Sequence, residues 1–222
     1  TEPIAVAYCA AKLREVLGGK PEEVLAEVSG NILKNVKSVV VPNTDGRRGI
    51  DAAIAVGIVA GDADAELQVI ANVTEDDAAA IQGYLDATPI KVTCPVTPCL
   101  LDIFLHGKRA GHTAAVRVAN NHTNIIYMER DGEVLLEKPL TANAEDNLQD
   151  KSVLNVKDII TFAETVPLDR IEPVIGRQIA CNTAIAEEGL RNSWGANIGS
   201  TLLQRSDDIE TQARAWAAAG SD

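Results

Sequence analysis

Hydrophobic residues recur at helical spacing through the first part of the chain. The apolar positions of this run are Ile4, Tyr8, Leu13, Val16 and Leu17. Thr1, Glu2 and Pro3 suit a helix start, because threonine caps, an acid favours the positive end and proline needs no N–H there. Gly18 suits a helix end. The pattern predicts a helix that begins at the first residues and ends at Gly18.

Two shorter apolar runs follow and predict strands, at residues 24–35 and 38–43, the second nearly all β-branched. Residues 46–64 predict a helix without a polar face, which must therefore be covered on most sides. Thr74 and Asp77 have the spacing of a capping box and predict the start of a further helix.

From residue 90 to residue 137 the hydrophobic period changes to two. Five runs of this kind predict an antiparallel β-meander with one solvated face: IKVTC, LLDIFLHG, TAAVRVA, TNIIYMER and EVLLEK. Asp131-Gly132 joins the last pair and is the strongest hairpin signal in the chain. After a polar connection at residues 141–152, the helical period returns and persists almost to Asp222.

These elements predict an α+β fold, in which a mostly helical portion packs against the antiparallel β-meander. The pattern leaves open whether the early strands join the sheet of the meander. We predict three portions: residues 1–89 as the first part of the helical domain with short strands, 90–140 as the meander, and 141–222 as an incomplete helical continuation.

The composition of the chain argues against several classes of protein. The formal charge is −12 over 222 residues, which argues against a nucleic-acid surface, since such a surface needs clustered Lys and Arg. No apolar run is long enough to span a bilayer. The four cysteines do not have the spacing of a disulfide-dense scaffold, so we expect reduced thiols in the cytoplasm. None of them is expected to be a metal ligand within this chain.

The stretch from Asn31 to Ala53 is the first candidate for chemistry. A strand that ends at residues 42–46 and leads directly into a helix aims backbone amides at one spot, which can hold a carboxylate or phosphate. Asn43 and Thr44 add side-chain donors, and Lys34 adds positive charge. The local pattern alone favours an ordinary turn with a basic rim, since these are common turn residues.

The histidines are the second candidate. His112 and His122 have matching Xaa-His-Thr settings at the starts of two predicted strands, and we expect both at one end of the meander. A neutral imidazole is a plausible general base near physiological pH, although a histidine beside a turn is more often a polar loop residue. His106 lies on the preceding strand and is interpreted as structural.

Five stretches, taken in order, resemble one known family. They are TEPIAVAY, VSGNILKNVKSVVVPNT, AVGIVAGD, NNHTNIIYMERDGEV and IAEEGL. The family is the L-cysteine desulfidase group, related to the alpha chain of iron–sulfur L-serine dehydratase. The resemblance implies a 4Fe–4S cluster whose ligand cysteines lie outside this chain, which then corresponds to about half of the family protein and looks cut at both ends.

The resemblance also implies residue roles in an α,β-elimination. Thr1 and Glu2 would lie next to the cluster, and either His112 or His122 would be the base that removes the α-proton. The open iron would act as a Lewis acid on the leaving thiol or hydroxyl. The residues that would hold the substrate are Asn31, Lys34, Asn43, Thr44 and Asn121.

We therefore expect an iron–sulfur-dependent lyase of the cytoplasm that converts L-cysteine or L-serine to pyruvate, ammonia and sulfide or water. Its expected partners are the small amino-acid substrate, the remainder of its own polypeptide and further copies of itself, without nucleic acid or membrane. The isolated chain is expected to be inactive. The alternative is a non-catalytic protein of the same fold that binds a small amino acid or carboxylate.

Overall fold

The computed structural model describes residues 1–141, 154–192, 195–205 and 208–220. Within these ranges the chain forms eight α-helices and one six-stranded sheet, so the predicted α+β fold is confirmed. The chain divides into two compact units, residues 1–147 and 148–222, and each is described by itself. The polar connection was predicted at residues 141–152, and all of it after residue 141 lies outside the described residues.

Unit 1 contains the whole sheet, together with four α-helices and two 3₁₀ helices. Its elements are α1 (Glu2–Leu17), β1 (Glu23–Val28), α2 (Gly30–Val36), α3 (Gly49–Ala60), 3₁₀ helices at Ala63–Gln68 and Glu75–Asp77, α4 (Ala78–Ala87), β2 (Ile90–Thr93), β3 (Asp102–Arg109), β4 (His112–Ala119), β5 (Ile125–Arg130) and β6 (Glu133–Glu137).

The strand order is β2-β1-β3-β4-β5-β6. Strands β3 to β6 form the predicted antiparallel meander, and Asp131 and Gly132 at its last turn both have positive φ. β2 was predicted as a meander strand, but it pairs with β1 in parallel, because helices α2 to α4 return the chain to the same direction. Residues 1–89 and 90–140 therefore share one sheet and one unit.

The two predicted early strands need correction. The run at 24–35 is a strand only to Val28, because the Ser29 hydroxyl accepts a hydrogen bond from the backbone N–H of Ile32 and so caps α2. The run at 38–43 makes a single bridge, between Val40 and Arg48. Positive φ angles at Asn43 and Asp45 turn the chain there, and a turning backbone does not continue a strand.

Helices α1 and α3 are confirmed, and they pack together over one face of the sheet. α1 ends at Gly18 with φ 79°, and α3 is buried along most of its length. The guanidinium of Arg14 donates to the carbonyls of Ile58 and Gly61 at 3.1 and 2.7 Å, which satisfies the last turn of α3. The Cys9 thiol donates to the carbonyl of Val116 at 3.4 Å and ties α1 to the sheet.

Strand alternation separates the two faces of the sheet. The side chains that face the helices are fully or almost fully buried: Val24, Ala26, Val28, Ile103, Leu105, Val116 and Val118. The intervening positions, Glu27, Phe104, Arg117 and Tyr127, keep partial exposure on the opposite face. This outer face is therefore the side of the sheet on which unit 1 presents polar and aromatic groups together.

Unit 2 is helical in its described residues, as predicted. Its helices are α5 (Val156–Thr165), α6 (Leu168–Arg191), α7 (Ile198–Leu203) and α8 (Ile209–Ala219). Asn155 and Asp208 cap α5 and α8 by accepting from backbone N–H groups at 3.0 and 2.8 Å. The short helix α7 was not predicted. Among the described helices of the chain, none has the length and apolar character that a membrane span requires.

Tyr84 of α4 gives a pH-dependent contribution to stability. Its hydroxyl donates to the carbonyl of Pro21 at 2.8 Å, and burial raises the pKa of this phenol to about 12. Because the folded protein favours the un-ionised phenol, the contribution is fully present below about pH 10 and lost as the pH rises through about 12. We expect ultraviolet titration to show a phenol that ionises last, and Tyr84→Phe to abolish that step.

Candidate functional site

The two candidate histidines lie at opposite ends of the sheet, which corrects the expectation that they share one end. His112 begins β4 beside Arg109, whose guanidinium donates to the carbonyl of Gly18 where α1 ends. His122 lies beyond the far end of β4, in the turn before β5. The starts of neighbouring antiparallel strands necessarily alternate between ends.

His112 is part of the hairpin structure. Its Nδ1 lies 2.8 Å from a carboxylate oxygen of Asp131, and the other oxygen accepts from the backbone N–H of Thr113 at 2.8 Å. The hydrogen bond from the Thr113 backbone is the main cause that lowers the pKa of the Asp131 carboxyl, and the hydrogen bond with His112 is the second cause. In contrast, the Nε2 atom of His122 is buried and has no hydrogen-bond partner among the described residues. Asn121 lies in the same turn.

Asn43 and Thr44 both make hydrogen bonds inside the protein. The Thr44 hydroxyl is buried and donates to the carbonyl of Val41 at 2.7 Å. The Asn43 amide donates to the carbonyl of Ile70 at 2.8 Å. The donors that were expected to hold a substrate carboxylate thus brace the loop that leads into α3.

The remaining predicted residues lie on α1 and α2. The Glu2 carboxylate accepts from the amide of Asn35 at 3.2 Å. Backbone hydrogen bonding is the main cause that lowers the pKa of Glu2. Asn31 and Lys34 are exposed on α2. The structure therefore brings Thr1 and Glu2 beside the helix that carries Asn31 and Lys34.

A single row of side chains crosses the outer face of the sheet, and sequence reasoning missed it. Its members are paired in register from strand to strand, and they are Thr93, Glu27, Phe104, Arg117, Tyr127 and Glu137. Adjacent strands lie about 4.8 Å apart, so the side chains of neighbouring members are in reach of one another. We call this set the outer row.

Arg117 is held rigidly at the centre of the outer row. Its Nε donates to one oxygen of the Asp102 carboxylate at 2.8 Å, and a terminal nitrogen donates to the other at 2.6 Å. Asp102 is 3% exposed, and the Thr97 hydroxyl donates to the same carboxylate. The bond to Asp102 raises the pKa of Arg117. A bidentate pair of this kind fixes the plane of the guanidinium.

Aromatic and acidic groups surround this guanidinium. The Phe104 ring centroid lies 5.1 Å from the guanidinium carbon of Arg117 and 5.7 Å from the ring centroid of Tyr127, which it meets edge-on. On its other side the Phe104 ring is 4.1 Å from the ring of His106, whose Nε2 lies 3.0 Å from the Glu27 carboxylate. His106, interpreted as structural from the sequence, thus belongs to a carboxylate–imidazole pair beside the outer row.

Two cavities open on either side of Phe104 and Arg117, and both residues line both cavities. The larger cavity, of about 620 Å³, is lined by Phe104, Arg117, Ile126, Tyr127, Glu137, Lys138, Pro139 and Leu140. The smaller, of about 230 Å³, is lined by Glu27, Val28, Ser29, Pro95, Val96, Thr97, Asp102, Phe104 and Arg117. Together they present aromatic rings and charges of both signs on one face of the sheet.

Comparison with known proteins gives relatives that align with the whole chain. The chain is 42% identical over 229 residues to a UPF0597 protein of Treponema denticola, and 44% identical over 223 residues to one of Desulfitobacterium hafniense. A third, from Lachnoclostridium phytofermentans, is 43% identical over 223 residues. The chain is similar to UPF0597 proteins over its whole length.

These alignments cover 100% of this chain but only 52–53% of each relative. The chain therefore spans about half the length of the curated relatives that it matches. No family model matches the chain. No solved structure matches it either.

The relatives correct the resemblance inferred from the sequence. We expected the L-cysteine desulfidase family and the serine dehydratase alpha chain, but the relatives that align with the whole chain are named UPF0597 proteins, and nothing in these matches links the chain to the expected family. The five stretches that carried the resemblance are short, whereas the alignments extend over every element of the chain. That assignment is therefore wrong.

Proposed function

We propose that unit 1 binds a small amino acid, or a small carboxylate, on the outer face of its sheet. The observation that carries the proposal is the meeting of two cavities over Phe104 and Arg117. Arg117 is fixed there by Asp102, so the protein does not need to order its guanidinium when a ligand arrives. Preorganised groups of this kind favour binding because less conformational entropy is lost.

The charges around the cavities suit a ligand that carries both an ammonium and a carboxylate. Asp102 occupies two of the five N–H donors of Arg117, and Lys138 lines the larger cavity with it. These cations attract a carboxylate. Glu137 lies in the same cavity and Glu27 in the smaller one, and the rings of Phe104 and Tyr127 also attract an ammonium.

Isothermal titration calorimetry with whole and half ligands tests this proposal. L-serine serves as the zwitterion, and acetate and methylammonium supply one charged group each. We expect L-serine to bind at least about tenfold more tightly than either half ligand, since the loss of one ionic contact costs about 1.4 kcal/mol. Equal affinity for acetate and L-serine would leave only a carboxylate site, and absence of binding by all three would contradict the proposal.

Glu137→Gln should weaken the binding of L-serine about fivefold, because it removes a carboxylate that attracts the ammonium group at a partly solvated position. The change keeps the size of the side chain. Glu133→Gln is the matched control. Glu133 lies on the same strand, opposite Arg130 in the strand register, and it does not line the cavity. Equal affinities of the two variants, measured by the same calorimetry, would count against a role of Glu137.

The iron–sulfur-dependent elimination of L-cysteine or L-serine was implied by the resemblance alone, and it stays an untested prediction. So do the 4Fe–4S cluster, the cytoplasmic location and the homo-oligomer. The thiols of Cys9 and Cys99 are buried and donate to backbone carbonyls, and burial is the main cause that raises the pKa of both. An assay for pyruvate from either amino acid tests the elimination independently of the binding measurements. Because the isolated chain is expected to be inactive, the assay uses it together with the expected remainder of its polypeptide.

A further inference from the structure

Helices α5 and α6 of unit 2 expose large apolar side chains in two helical stripes. On α5 these are Val156, Ile159, Ile160 and Phe162. On α6 the stripe is formed by Leu168, Ile175 and Ile179, and Val174 and Ile185 are also exposed beside it. Leu168 is 77% exposed and Ile179 is 61% exposed. A folded protein rarely leaves a contiguous apolar patch larger than about a few hundred Å² in water unless another surface covers it.

The stripe on α6 is already buried at one end. Leu168, Ile175, Ile179 and Ala186 are spaced by seven, four and seven residues, which places them on one face of the helix. Ala186 is buried. One turn further on, a Cβ atom added to Gly189 would lie 2.1 Å from the carbonyl oxygen of Ala219, so α8 packs directly against this part of α6. The same face is thus covered by α8 at its C-terminal end and exposed towards its N-terminal end.

We propose that the exposed stripe of α6 is the docking surface for the polypeptide that the UPF0597 relatives have in addition to the matched half. Each of the three relatives reported above is about twice as long as the stretch that this chain matches, so a segment of similar size is available to cover it. The stripe continues a face that the fold already uses for helix packing. An apolar helical surface on the added segment is the chemistry that fits it.

Sedimentation velocity with two polypeptides tests this proposal. The 222-residue chain is mixed with the part of the Treponema denticola relative that lies outside the matched stretch, and we expect a one-to-one complex. The double change Ile175→Glu and Ile179→Glu should weaken the complex at least about hundredfold, because it places two charges at the centre of an apolar contact. Ala184→Glu is the control, since Ala184 is exposed on the opposite side of α6. It should leave the complex unchanged.

A chimera in which that segment is joined to this chain, in the order of the relative, separates weak association from no docking. We expect hydrogen exchange of α6 to slow at least about tenfold in the chimera, and the double change to restore fast exchange. Equal exchange in the chimera and the free chain would overturn the proposal. A dimer of the chain alone that the double change disrupts would also overturn it, because the stripe would then belong to a contact between copies.

Discussion

Gly57→Ala is expected to lower the free energy of unfolding of unit 1 by about 3 kcal/mol, the upper range for overpacking a tight core. Gly57 lies in the middle of α3, where a Cβ atom would come 2.2 Å from the carbonyl oxygen of Ala7 in α1. That neighbour is backbone, so it cannot rotate away. The two helices must separate, and the separation loosens the contacts between α1 and α3.

Gly83→Ala is the matched control for this experiment. Gly83 lies inside α4, and a Cβ atom built there meets nothing within 4 Å. The alanine should therefore stabilise the protein by about 0.5–1 kcal/mol through its higher helix propensity. The same sign of change for both substitutions would contradict the close packing of α1 against α3.

Urea unfolding can report the two units separately. The three tyrosines, Tyr8, Tyr84 and Tyr127, all belong to unit 1, and the two tryptophans, Trp194 and Trp216, belong to unit 2. Near-ultraviolet tyrosine dichroism should move to lower urea in Gly57→Ala. Tryptophan emission provides the internal comparison, since Gly57 belongs to unit 1.

Asp102→Ala is the second change with a large expected effect, a loss of about 3–5 kcal/mol in the free energy of unfolding. Asp102 is almost completely buried, and its carboxylate accepts from both Arg117 and Thr97. Alanine leaves the guanidinium without its counter-charge and the hydroxyl without its acceptor. Denaturant unfolding measures the stability, and calorimetry on the folded fraction should show weaker binding of L-serine.

A double change separates two contributions to the lost stability: the cost of leaving the Arg117 guanidinium without a partner, and the stabilisation that the ion pair itself provides. Asp102→Leu combined with Arg117→Met replaces both charges by apolar groups of similar size. We expect it to recover at least about 2 kcal/mol of the stability lost in Asp102→Ala. It should not recover the affinity for a carboxylate, since the guanidinium is gone. A double variant as unstable as the single one would contradict this explanation.

Local sequence patterns correctly predicted the elements whose conformation is determined by residues adjacent in sequence. The glycine at position 18, the apolar run of α3 and the Asp131-Gly132 turn each specify a conformation by themselves. The strand predicted at residues 38–43 was wrong. β-Branched residues favour strands on average, but positive φ angles at Asn43 and Asp45 turn the backbone at the end of this run. The parallel pairing of β2 with β1 could not be predicted, because pairing between strands that are distant in sequence leaves no local pattern.

The candidate site was harder to predict for the same reason. The outer row joins residues that lie far apart in sequence, such as Glu27 and Phe104, and only the strand register aligns them. A partial signal was present. Glu27 interrupts the apolar run of β1 at a position that faces away from Val24, Ala26 and Val28, and β4 carries Arg117 in the same way.

Amide and arginine side-chain NMR spectra, recorded during titration with L-serine, test the central claim most directly. We expect the largest shift changes at Phe104, Arg117 and Tyr127, including the Nε–Hε resonance of Arg117. Lys34 and Asn43, in the stretch that the sequence first suggested, should remain unchanged. Shifts confined to residues 31–48, or no shifts at millimolar ligand, would contradict a binding site on the outer face of the sheet.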